Sequence, residues 1–239
     1  MKNIVLLKPL FSLAFFIAFI ATNQGQEIGP EALYREKISM TPEVFNGGEY
    51  VEYPSAYIGH AFFQSTAYNY ADIVFNGIVY KDIPLLYDLV SQNLIALNPI
   101  HAKKVILQSN RISEFIIHSD FGDVKFVKGS TKVVAGDYAD IFLEEIVEDG
   151  LYAYHQKSLQ REIKELERNT RFDQSESLLL FHGGELNPLK TKQSAIRILG
   201  MEKKLAREVI KEKGLKYRLD RRAYQTAIVQ AYQKTLRNE

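Results

Sequence analysis

The chain has 239 residues, with 30 Lys and Arg against 29 Asp and Glu, so its formal net charge is +1. It has no cysteine, which excludes disulfides, zinc–thiolate sites, cysteine nucleophiles and lipidation of an N-terminal cysteine. Hydrophobic residues make up 46%, enough for a chain of this length to build a core without cross-links.

The N-terminus reads as an export signal. Lys2 and Lys8 form a basic start, Leu10 to Ile20 is an eleven-residue apolar run that includes Ser12, and Ala21 to Gly25 is short and polar. That run is too short to cross a bilayer comfortably, which takes about 20 residues. Cleavage after Gly25 is expected, leaving Gln26 first; an uncleaved N-terminal anchor is the alternative. The organisation that follows is a signal peptide at 1–25, an acidic antiparallel β domain at 26–189 and a basic helical segment at 190–239. Residues 26–186 carry 24 acidic and 14 basic side chains, and residues 187–239 carry 5 acidic and 14 basic. The balances of −10 and +9 suggest two regions that attract each other, or a basic face for an anionic partner.

In chain order, Glu27 to Lys37 has helical character and is read as a lead-in. Asn46-Gly47-Gly48 marks a turn, Glu49 to Tyr53 alternates as a first strand, and Pro54 and Gly59 interrupt an aromatic connection. The strongest local signal is Asn76-Gly77 between alternating apolar runs, because both central residues of a type I′ turn need positive φ. With those two as the loop, Phe75 faces Ile78, Val74 faces Val79, Ile73 faces Tyr80 and Asp72 faces Lys81. Ile73, Phe75, Ile78 and Tyr80 then share an apolar face, with an Asp72–Lys81 charge pair on the other. Pro84 cannot donate to a ladder and marks an edge, bulge or bend.

Further strands are predicted at 85–90, 94–97, 104–108, 112–118, 124–127, 140–148 and 151–159, continuing an antiparallel meander. Residues 159–168 fit either a helix or a continued strand. A last hairpin joins 177–181 to 185–189 across Gly183-Gly184. The period then changes. Helices are predicted at 195–199, 202–213 and 221–236, with Gly200 and Gly214 at C-terminal caps and Asp220 as an N-cap. Ala223, Ala227, Ile228, Ala231 and Tyr232 form the packing stripe of the last helix.

Taken in order, the blocks GGEYVEYPSAYIGHAFF, FNGIVYKDIPLLYDLVSQNLIAL, RISEFIIH, FHGGELNPLK and KEKGLKYRLDRRAYQTAIVQAYQ resemble an uncharacterised family of exported proteins of Gram-negative bacteria. The resemblance covers most of the mature chain. It implies export and a β-then-helix layout, and it carries no activity and no site residue.

No motif assigns a catalytic residue, a cofactor-binding residue or a metal ligand. His60, His101, His118, His155 and His182 form no HxH, HxxH or HExxH pattern and read as surface or hydrogen-bonded histidines. There is no GxSxG and no Gly-rich phosphate loop. Glu144 and Glu145, as strand neighbours, point to opposite faces and read as a solvated edge. The aromatic stretch from Tyr50 to Tyr80 fits either a ligand groove or ordinary strand packing.

The fold expected is mainly β (α+β): about ten antiparallel strands forming a sandwich or partly open barrel, then three short C-terminal helices. The function expected is that of a periplasmic or outer-membrane-associated envelope protein, binding a protein or apolar ligand without catalysis. A hydrolase assembled from dispersed residues is the alternative, with His118, Asp120 and His182 as candidates. A third reading has the basic helices contacting anionic lipid; nucleic acid is not expected. Expression in a Gram-negative host is expected to yield an envelope-fraction protein whose N-terminus is Gln26. A full-length cytoplasmic product would contradict export.

Overall fold

The computed structural model describes residues 42–99, 101–120, 122–133, 136–164 and 167–237, side chains at 163–168 excepted. The expected export signal and the lead-in at 27–37 lie outside the described residues. Residues 41–239 belong to one compact unit, so the acidic strands and basic helices are parts of the same body.

Ten antiparallel strands form one open sheet. They are β1 (Asn69–Phe75), β2 (Ile78–Asp88), β3 (Asn93–Leu97), β4 (Lys104–Ile106), β5 (Ile112–His118), β6 (Val124–Lys128), β7 (Phe142–Val147), β8 (Leu151–Lys164), β9 (Glu167–His182) and β10 (Glu185–Pro188). The order across the sheet is β10-β9-β8-β7-β6-β5-β1-β2-β3-β4. The expected meander is therefore present with one jump: β5 pairs with β1 instead of continuing from β4. The ambiguous stretch after Leu159 continues as strand, and β8 pairs with β9 from Leu151↔Leu180 out to Lys164↔Glu167.

The Asn76-Gly77 turn has positive φ at both residues, and the pairs Phe75↔Ile78, Val74↔Val79 and Ile73↔Tyr80 form as the sequence implies. The Asp72–Lys81 pair does not. The register shifts there, so that Ala71 faces Ile83, and Asp82 takes φ +54°. A bulge inserts one residue and turns the strand. Asp72 instead accepts the Asp82 N–H at 3.2 Å and lies 3.6 Å from His118 Nε2. Ile78, the outermost member of the expected apolar face, is exposed beside the turn, while Ile73, Phe75 and Tyr80 are buried. The expected first strand at 49–53 is only a short edge contact. Tyr50 N–H donates to Lys104 O and Ile106 N–H to Gly48 O, because β4 offers just three residues to pair with.

The sheet is strongly curved but not closed into a barrel. In a flat sheet, β2 and β6, three steps apart in the strand order, would be separated by about 14 Å. Here the ring of Tyr87 on β2 lies 5.4 Å from Phe126 on β6, and Phe115 stacks on Phe126 at 4.8 Å. The curl brings the β2–β3 turn to β8: Lys157 N–H donates to Leu89 O at 3.0 Å, and Gln92 Nε2 donates to His155 O at 3.1 Å. Tyr50, Phe62 and Phe63 of the leading segment pack into this body, so part of the aromatic stretch is core, while Tyr70 is exposed.

Three helices follow: α1 (Ser194–Ile198), α2 (Lys203–Glu212) and α3 (Arg221–Arg237). Gly200 and Gly214 both sit at φ +63°, where Met201 N–H reaches Ile196 O and Leu215 N–H reaches Ile210 O, closing each helix as a Schellman turn. Asp220 caps α3 through the Ala223 N–H at 2.7 Å. The layer docks by apolar burial. Leu151, Ala153, Leu178 and Leu180 of the sheet meet Ala206, Tyr224, Ile228 and Val229. The α3 side chains come so close that a Cβ on Gly150 would lie 2.8 Å from Gln233 Nε2 and 2.9 Å from Val229 Cγ1. Phe126→Ala is expected to cost about 3–5 kcal/mol in urea unfolding, whereas exposed Val79→Ala should stay within about 0.5 kcal/mol. Equal costs would contradict the aromatic core.

Candidate functional site

Alternation along β8 places Leu151, Ala153, His155 and Lys157 on one face, the face that the helices and the aromatic core cover. His155 is directly opposite Glu176 on β9, and Glu144 on β7 is opposite Ala153. The three side chains therefore converge. His155 Nε2 lies 2.6 Å from Glu144 Oε2, and Nδ1 is buried 3.9 Å from Glu176 Oε2 with no hydrogen-bond partner. Phe63 and Phe126 wall the ring.

One imidazole and two carboxylates with donor atoms within 4.8 Å of one another would suit a transition metal. The chain places its own cation there instead. Arg222 Nη1 is 2.9 Å from Oε2 of both Glu144 and Glu176, and Nη2 contacts Glu144 Oε1. A metal would have to displace that guanidinium, so the cluster reads as an ion-pair knot. Arg222 lies in the first turn of α3, where a cation opposes the helix dipole at a cost of about 0.3–1 kcal/mol. The two carboxylates offset that cost. Burial alone would raise the Glu144 carboxyl; the hydrogen bonds from His155 and Arg222 outweigh it and hold it below its ordinary value.

Neither acidic neighbour is a solvated edge. Glu145 points to the other face as expected, but its side chain is only 7% exposed. It sits among Lys125 at 3.3 Å, Lys132 at 3.6 Å and the Tyr152 hydroxyl at 3.1 Å. The candidates His118, Asp120 and His182 do not meet. His118 and His182 lie on strands β5 and β9, four places apart in the sheet, and project from opposite faces. His118 pairs with Asp123 at 2.9 Å, a bond that raises its pKa, with Asp72 adding to the effect. Exposed Asp120 follows in the next turn, and exposed His182 packs edge-on to Tyr232. What the sequence did carry, unread, was the β8 alternation, which puts His155 on the core side.

A second feature lies in the helical layer. The α1–α2 segment and the loop after α2 enclose an open cleft of about 460 Å³ over the Tyr224 ring. Lys192, Lys203, Arg207, Lys211 and Lys216 line it, above Ile196, Ile210 and Leu215, and no carboxylate does. Among the described residues none of these five cations forms an ion pair; Lys192 Nζ sits 5.6 Å over the Tyr224 ring. A cleft lined by one sign of charge over low-dielectric walls concentrates its field on an incoming anion.

Comparison with protein-family models, with curated proteins and with solved structures finds no match to this chain.

The ion-pair knot has a pH signature. A carboxyl with a depressed folded-state pKa stabilises the fold above its ordinary value of 4.5, and that contribution is lost as pH falls through the folded-state value. Arg222→Met removes the cation and is expected to destabilise by about 1–3 kcal/mol at neutral pH. This is less than for a fully buried pair, because Arg222 is 37% exposed. Its acid-unfolding midpoint should move to higher pH, and adding Glu144→Gln should recover part of the loss in a double-mutant cycle. Additive losses and an unmoved midpoint would show that the pair is not coupled.

Proposed function

We propose that this chain is a non-enzymatic binding protein of the bacterial cell envelope. The sheet serves as scaffold, and the basic helical layer is the surface that recognises an anionic ligand. The observation that carries this reading is the cleft whose five cations form no ion pair among the described residues and whose lining has no carboxylate. Ligand sites of about 300–1,000 Å³ with apolar walls and a few placed polar groups are the usual form of a binding pocket. The export signal read from the sequence puts the protein among lipids, glycans and other proteins, so nucleic acid is not the anion in view.

The rival reading, a hydrolase with a dispersed site, has less support. His155 is oriented by Glu144 as a catalytic imidazole would be, yet among the described residues no hydroxyl nucleophile is hydrogen-bonded to it. Arg222 covers the same carboxylates. Among the described residues no helix is long and apolar enough to cross a membrane.

Co-sedimentation with vesicles tests the reading. Binding to phosphatidylglycerol vesicles should exceed binding to phosphatidylcholine and weaken strongly between low and about 0.5 M salt, as surface electrostatics are screened. The triple variant Lys203→Gln, Arg207→Gln, Lys211→Gln should lose most of it. Equal binding to both lipids, or binding indifferent to salt, would overturn the proposal.

A further inference from the structure

We infer that the cleft captures a single phosphate-bearing amphiphile, head group on the cations and apolar chain on the floor. This rests on the binding reading above and names the ligand for that same site. A surface made only for adsorption needs positive charge and no cavity. Here the charge surrounds a concavity whose floor is Ile210, Leu215 and the Tyr224 ring, inside a rim that includes Lys192, Lys203 and Arg207.

The floor is built into the fold. The cap at Gly214 turns the chain so that Leu215 N–H closes on Ile210 O, and this fixes Leu215 beside Ile210. Tyr224 is held by an edge-to-face contact with Tyr217 at 5.4 Å and is buried, so its ring forms a firm base. Its hydroxyl pKa is raised by burial, with Tyr217 adding to the effect, and it stays neutral beneath an anionic ligand.

The rim selects the head group. A carboxylate carries one negative charge, whereas a phosphate monoester carries about 1.5–2 and three acceptor oxygens. Lys203 and Arg207 lie four residues apart on the exposed side of α2, one turn from each other, so both reach one phosphate. The Arg fork can take two of its oxygens. Lys192 approaches from the segment before α1. Inorganic phosphate would satisfy the rim but leave the floor wet; a neutral amphiphile would cover the floor and leave the cations unpaired. An amphiphilic phosphate does both, and the source to which the cleft commits is a lipid whose head group ends in phosphate.

Calorimetry on the full chain, with dodecyl phosphate below its micellar concentration, tests this. One-to-one binding is expected, at least about tenfold tighter than inorganic phosphate or dodecyl maltoside. Lys203→Gln with Arg207→Gln should weaken it by roughly tenfold. Ile210→Ser with Leu215→Ser should weaken dodecyl phosphate similarly while leaving phosphatidylglycerol vesicle adsorption in place, with circular dichroism confirming that the variants fold. Vesicle adsorption without one-to-one capture of dodecyl phosphate would overturn this inference and leave the broader reading standing. Loss of both would remove both. Equal affinity for inorganic phosphate would also overturn it, since the floor would then contribute nothing.

Discussion

The arrangement depends on how the helical layer is held. Leu151, Ala153, Leu178 and Leu180 on the sheet are buried by Tyr224, Ile228 and Val229 of α3. Full burial of a large aliphatic side chain is worth about 1.5–3 kcal/mol, so this contact outweighs any surface ion pair between the same layers. The charge asymmetry of the chain suggests an acidic body attracting a basic tail. The geometry divides the work differently. Apolar area supplies the adhesion, and Arg222, set against Glu144 and Glu176, fixes the orientation. The positive charge around the cleft is then not consumed in docking, and it remains available to a ligand.

Much of the fold was legible because it is written in local rules. The Asn76-Gly77 turn, the alternation of β5 and the caps at Gly200, Gly214 and Asp220 all require particular residues at particular positions, and each appears where its residues stand. The misses share a cause. The bulge at Asp82 is an inserted residue held by a side-chain bond to Asp72, a contact that no alternation pattern reveals. The first half of β9 is polar and lies outside the strands predicted at 151–159 and 177–181. It is a strand because β8 pairs with it along its whole length. The return of β5 to β1, and not to β4, is a pairing between distant segments that no local pattern encodes.

The same distinction governs the sites. Glu144 and Glu145 were correctly sent to opposite faces, since alternation decides that much. That each would be buried against cations depends on β6, on β8 and on a helix far along the chain. The basic character of the C-terminal segment was plain from composition. The cleft was not, because it arises where the capped end of α2 turns the chain and sets Leu215 beside Ile210. Charge can be counted in a sequence, but concavity needs the fold.

The central claim is that recognition belongs to the helical layer and that the curved sheet supports it. Hydrogen–deuterium exchange, followed with and without phosphatidylglycerol vesicles, bears on this most directly. The account predicts new protection confined to residues 192–224, with the sheet amides unchanged. Protection centred on the outer strands of the sheet, with residues 192–224 unaffected, would contradict it.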